Sequence, residues 1–148
     1  MINVIETKIE GLKVIQPSIS HDNRGYFMES FNQTDFENYF GIINFTQDNE
    51  SYSTKGVLRG MHYQEKPYEQ TKLVRAVKGE IQDVVIDLRK NSKTYLKYES
   101  CILNEDNKKQ LFIPKGFAHG FLVLSDYAII SYKVDSIYKP SHEKHIMH

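Results

Sequence analysis

The sequence predicts an all-β fold: two packed antiparallel sheets, as a sandwich or a closed barrel. Three observations carry this. Short alternating or apolar runs recur, separated by turn residues roughly every 8–12 positions. Aromatic residues reach 12%, with Tyr 10 and Phe 8, and these favour a pleated, half-buried surface. Only one stretch shows clear helical spacing, so a helix-rich alternative has little to build on.

In chain order, residues 12–16 (LKVIQ) alternate and stop at Pro17, a first short strand. Residues 21–25 form a turn. Residues 26–31 (YFMESF) read as a strand with Phe27, Glu29 and Phe31 on one face. A Glu between two Phe is either an edge-strand charge or a ligand-facing carboxylate. The helix spans residues 34–40, with Thr34 as a possible cap and Gly41 as its stop. Its Phe36, Tyr39 and Phe40 form a core-packing side. Residues 43–47 (INFTQ) read as a strand, residues 53–56 as a turn, and residues 57–63 as the central strand. Residues 72–77, the pair Lys78-Gly79 and residues 80–88 have the look of a tight hairpin. In its second arm Ile81, Asp83 and Val85 share a face, so Asp83, if buried, needs a partner. Strands follow at residues 95–103, 110–113, 120–124 and 128–134. Residues 139–148 read as a polar tail.

Bulk properties narrow the function. The 148 residues suit one domain, with 40% hydrophobic and 26% charged residues. A formal net charge of 0 argues against nucleic acid and against an anionic membrane surface. Local Arg and Lys can still serve an anionic small molecule. Cys101 is the only cysteine, which excludes an intrachain disulfide and fits a reducing cytoplasm. The N-terminus lacks the pattern of a signal peptide, and no apolar run is long enough to span a membrane.

Two stretches carry candidate chemistry. Residues 57–64 (VLRGMHYQ) hold Arg59, Gly60 and His62 on a strand. Alternation sets Arg59 with Met61 and Gly60 with His62, and the glycine leaves room for a close approach. Residues 112–121 (FIPKGFAHGF) bring His119 after a Pro/Gly turn. A catalytic metal wants about three protein ligands. Position 64 is Gln64 and no second imidazole lies near His119 in sequence, so no metal is expected in the pocket. His142, His145 and His148 recur every third residue, but a solvated tail is the expectation there. Acid–base chemistry remains. His62 can act as a base near neutral pH and Tyr132 as a proton donor, while Lys72 and Arg59 can hold an enolate or a phosphate. A single strand histidine also reads as a hydrogen-bonded core residue. The combination points to a site.

Residues 22–31 (DNRGYFMESF), Gln47-Asp48-Asn49, residues 56–64 (GVLRGMHYQ), Lys72-Leu73-Val74-Arg75 and residues 113–121 (IPKGFAHGF) together resemble the dTDP-4-dehydrorhamnose 3,5-epimerase family, over residues 12–146. The resemblance implies a cupin-type antiparallel jelly roll with one or two short helices, acting as a homodimer without metal or coenzyme. It implies a nucleotide-linked 4-keto-6-deoxyhexose as substrate, with epimerisation at C3, C5 or both through an enolate. His62 would be the base, Tyr132 the acid and Lys72 the group beside the enolate oxygen. Arg24, Glu29, Gln47, Asn49, Arg59, His119 and Glu143 would hold sugar or nucleotide, with Phe27 stacking on the base. The segment 24–29 would reach the neighbouring subunit's pocket. Family members continue beyond Glu143 to a carboxylate that orients the base histidine. Here Asp83 is the internal substitute expected to take that role.

Other functions compete. A ketoisomerase on the same substrate class would carry a second histidine near His62, where Gln64 stands. A GDP-linked keto sugar or a heptose is an alternative substrate. An inactive module would bind the nucleotide sugar and exchange neither carbon's hydrogen with solvent.

Overall fold

The computed structural model describes residues 2–146. Its strands run Ile2–Glu6 (β1), Lys13–Pro17 (β2), Ile19–Asp22 (β3), Gly25–Met28 (β4), Gln47–Thr54 (β5), Leu58–Gln64 (β6) and Lys72–Lys78 (β7). They continue as Glu80–Asp87 (β8), Tyr98–Asn104 (β9), Gln110–Ile113 (β10), Phe117–Val123 (β11), Tyr127–Val134 (β12) and Glu143–His145 (β13). One α-helix, Gln33–Phe40 (α1), and one 3-10 turn, Pro140–His142, complete the elements. A six-stranded sheet is ordered β1-β2-β10-β7-β12-β5, and a five-stranded sheet β13-β6-β11-β8-β9. The strand pairs within both are antiparallel. This is the double-sheet jelly roll anticipated above. Strands β3 and β4 form a separate two-stranded hairpin.

Alternation explains the layers. Along β8, Ile81, Asp83, Val85 and Asp87 are buried while their neighbours are half-buried. That inward face joins Val74, Leu111, Phe121 and Ile130 in a core between the sheets. Each such aliphatic or aromatic side chain contributes roughly 1.5–3 kcal/mol by leaving water. The outer face of the larger sheet is covered by α1. Phe36, 2% exposed, packs with Leu73 and Phe112, and Phe40 stacks on Phe112 at 4.0 Å between ring centroids.

Several boundaries differ from expectation. The helix cap is Asn32, two residues before Thr34; its side chain accepts the Asp35 N–H at 3.1 Å. Tyr39 is 58% exposed and lies outside the core. Residues 43–46 are not a strand: Ile43 and Phe45 pack against the α1 cluster, and pairing begins at Gln47. The strand expected over 26–31 ends at Met28, because Phe31 turns into the same cluster and meets Phe36 at 4.9 Å. Strands β7 and β8 do not form a hairpin; they lie in opposite sheets. Gly79 (φ +78°) is a corner between layers. Its N–H is held by Glu105 Oε2 at 2.6 Å, and the Glu80 N–H by Ser125 Oγ at 2.8 Å. A polar tail was expected after residue 139, yet β13 pairs with β6 along Glu143↔Gln64 and His145↔His62. No helix of the described residues is long and apolar enough to cross a membrane.

Candidate active site

Strand β6 is the floor of the site. β11 flanks it on one side and β13 on the other, so His119, His62 and His145 stand in cross-strand register. Tyr132 on β12 comes from the opposite sheet, paired with Asn49 on β5 and Val74 on β7. Between them lies a cleft of about 370 Å³, lined in part by Ser51, Arg59, His62, His119, Tyr132 and Glu143.

The close approach foreseen at Gly60 is the backbone of β11. A Cβ on Gly60 would lie 2.6 Å from His119 O, and one on Gly120 would lie 2.7 Å from Arg59 O. The two glycines let β6 and β11 interlock where their register shifts between His119 and Phe121. Gly60 has φ +95°, which breaks strict alternation. Arg59 therefore lines the same cleft as His62, whereas simple alternation placed it on the opposite face with Met61. Gly120→Ala is expected to cost about 1–3 kcal/mol, the usual penalty of overpacking. Urea titration would show it, and an unchanged midpoint would refute the contact.

The cationic groups are unevenly hydrated. Lys72 is 5% exposed, and its Nζ stands 5.9 Å from the Tyr132 ring centroid. Burial pushes its pKa down to about 8, opposed by the negative charges of Asp83 and Glu143. His62 is lowered to about 4, first by burial, then by the positive fields of Lys72 and His119, with Glu143 opposing. It is therefore a neutral imidazole at physiological pH, free to accept a proton. Arg59 is held by the inward face of β5: its Nε donates to the buried Ser53 Oγ at 2.8 Å.

Asp83 does not orient His62. It is fully buried, and its Oδ2 bonds His119 Nε2 at 2.9 Å, with Oδ1 2.8 Å from the same nitrogen but out of bonding geometry. The cause is register: Asp83 lies opposite Phe121, diagonal to His119, and β11 separates it from β6. The carboxylate acting on His62 is Glu143, which β13 brings beside it. Glu143 Oε2 accepts the Tyr138 hydroxyl at 2.6 Å.

The remaining expected residues divide into two groups. Gln47 and Asn49 share the inward face of β5, with Gln47 Nε2 donating to Asn49 Oδ1 at 2.8 Å. Arg24, Phe27 and Glu29 do not line the cleft of their own chain. Arg24 sits at the β3–β4 turn, ion-paired with Asp22, and Phe27 is 71% exposed on β4. Glu29 accepts from Asn32 Nδ2 at 2.7 Å. Ser51 was missed by sequence reasoning. Its Oγ is buried at the cleft with no hydrogen-bond partner among the described residues. The polar row Gln47, Asn49, Ser51 and Ser53 at period two was the available signal. The tail histidines separate. His142 packs on Tyr68 at 4.7 Å, His145 enters the cleft, and His148 lies outside the described residues.

Known proteins resemble the chain closely. The profile of the dTDP-4-dehydrorhamnose 3,5-epimerase family matches residues 6–148. A dTDP-4-dehydrorhamnose 3,5-epimerase of Shigella flexneri is 52% identical over 147 residues, covering 99% of this chain and 81% of that protein. A Legionella pneumophila dTDP-6-deoxy-D-glucose-3,5-epimerase, solved with dTDP-4-keto-L-rhamnose, superposes with TM-score 0.96 at 47% identity, covering 100% of this chain and 79% of that one. A 3'-monoepimerase of Streptomyces bikiniensis, solved with dTDP-quinovose, has TM-score 0.90 at 33% identity, covering 96% of this chain and 72% of that one.

Proposed function

The chain belongs to the dTDP-4-dehydrorhamnose 3,5-epimerase family, and from that membership we propose the reaction its cleft carries out. The protein is a nucleotide-sugar epimerase acting on a dTDP-linked 4-keto-6-deoxyhexose. The C4 ketone acidifies the hydrogens on C3 and C5. His62 removes one as a proton, and the C–H electron pair moves to the C4 oxygen as an enolate. Tyr132 then donates its phenolic proton to the opposite face of that carbon. The C4 carbonyl reforms, His62 releases its proton to solvent and Tyr132 regains one. The Lys72 ammonium and the Arg59 guanidinium stabilise the negative charge in transit.

One observation carries this reading: His62 and Tyr132 stand on facing walls of one cleft, with the buried Lys72 side chain against the tyrosine. Asp83 serves by holding His119, the cross-strand partner of His62 on β11, which lines the same cleft. Gln47, Asn49, His119 and Glu143 contact the sugar or nucleotide from their places on β5, β11 and β13. The exposed β3–β4 hairpin, with Arg24, Phe27 and Glu29, completes the pocket of a second copy in a homodimer. Its exposure and its distance from its own cleft lining support that role.

The test is incubation with dTDP-4-keto-6-deoxyglucose in deuterated water, with C3 and C5 followed by NMR. Deuterium at both carbons establishes a 3,5-epimerase, and deuterium at C3 alone a 3-epimerase. Exchange at neither would overturn the proposal. In the same assay Tyr132→Phe is expected to cut epimerised product by about 10²-fold or more while exchange persists. Proton removal does not need the acid, so equal loss of both would reverse the division of roles.

A further inference from the structure

We propose that the mouth of the cleft is a transition-metal site formed by His62, Glu143 and His145, and that a bound Zn²⁺ ion inhibits the enzyme by occupying its base. The three residues each offer a ligand atom, all within 4.8 Å of one another. His145 Nε2 is 3.6 Å from Glu143 Oε1. In a tetrahedral zinc site, bonds of about 2.0–2.2 Å set neighbouring ligand atoms roughly 3.4 Å apart. The widest pair must close by at most roughly 1.4 Å, a shift within reach of side-chain rotation, and the exposed His145 ring can turn most easily.

The fold explains why these groups converge. His145 is the cross-strand partner of His62, and Glu143 sits two residues earlier on the same strand and therefore on the same face. Glu143 is prepared as a ligand: Tyr138 donates to Oε2, which fixes the carboxylate and leaves Oε1 turned toward His145. Two imidazoles and one carboxylate suit Zn²⁺ and Co²⁺ rather than Mg²⁺ or Ca²⁺, which prefer all-oxygen sets. Three protein ligands leave a fourth position open toward the cleft. The ion takes no part in the epimerisation. It withdraws the His62 lone pair that accepts the substrate proton. The binding claim stands without the proposed function, whereas the inhibition rests on it.

The experiment titrates the protein with Co²⁺, reading visible absorption, and then displaces Co²⁺ with Zn²⁺. Tetrahedral absorption at one equivalent, lost on adding Zn²⁺, is expected. His145→Ala should weaken Co²⁺ binding by at least about 10-fold, since a lost ligand costs no less than a lost supporting contact. His142→Ala should leave it unchanged. Melting curves of both variants show that they fold. If His142→Ala weakens binding as much as His145→Ala, the ion sits on the tail and the proposal fails. It also fails if no tetrahedral spectrum forms. With substrate, Zn²⁺ should abolish solvent exchange at C3 and C5, and a chelator should restore it. If the spectrum forms as expected but exchange continues with Zn²⁺ bound, the inhibitory claim is overturned. If metal-free protein exchanges neither carbon, the proposed function fails while the spectrum still decides the metal site.

Discussion

His62→Ala is expected to lower kcat by about 10²–10⁴-fold, the range of positioned general-base catalysis. Deuterium uptake at C3 and C5 should fall with it. The imidazole is half-buried and makes no side-chain hydrogen bond among the described residues, so its loss leaves no orphaned partner. The melting temperature should therefore change little. NMR exchange rates and a thermal melt on one sample separate the two effects. Uptake at the normal rate would remove His62 from the mechanism.

Lys72→Met is expected to cost about 10²–10³-fold in kcat, comparable to deleting one preorganised electrostatic donor. It should leave the protein as stable or more so, because a buried ammonium is replaced by an apolar chain of similar length. The sign follows from the pKa. Lys72 falls from 10.5 to about 8 on folding, so the charged form is penalised in the folded state. That penalty is fully present below pH 8 and is relieved as the pH rises toward 10.5. Catalysis runs the other way. The stabilising charge is present below about pH 8 and lost above it, while His62 loses its basic lone pair only as the pH falls through about 4. A plot of kcat/KM against pH should be flat between these limits, and Lys72→Met should lack the alkaline fall. Persistence of that fall would assign it to another group.

How much of this was legible depends on what each residue's role rests on. Side-chain periodicity announced β8, because four buried positions alternate with half-buried ones. The two loci around His62 and His119 were legible from their residue content, Arg-Gly-Met-His on a short strand and a histidine after a Pro/Gly turn, and not from periodicity, which fails in both β6 and β11. What periodicity cannot carry is partner choice. Lys78-Gly79 is equally good chemistry for a hairpin and for a corner between sheets, and only the distant groups Glu105 and Ser125 decide. Asp83 was correctly placed facing inward but given the wrong histidine, since diagonal reach across a sheet depends on register. Strand β13 gave no signal at all. It has three residues, one half-buried, and is held by backbone pairing to β6. Glu143 was legible only through the family resemblance, and without the strand neither its place beside His62 nor the entry of His145 into the cleft could be foreseen.

The pairing of strands remote in sequence has a kinetic consequence. His62 meets His145, Asn49 meets Tyr132, and Ile15 meets Gln110. Each contact closes a long loop, and that entropy is lost before the contact repays it. Folding should accordingly take roughly milliseconds to seconds, the pace of domains dominated by non-local pairings. No single hairpin contains both proton-transfer groups, so partly folded chains hold no reactive fragment. Competence to exchange substrate hydrogens should appear in one kinetic step with the burial of Phe121 and Ile130, late in refolding.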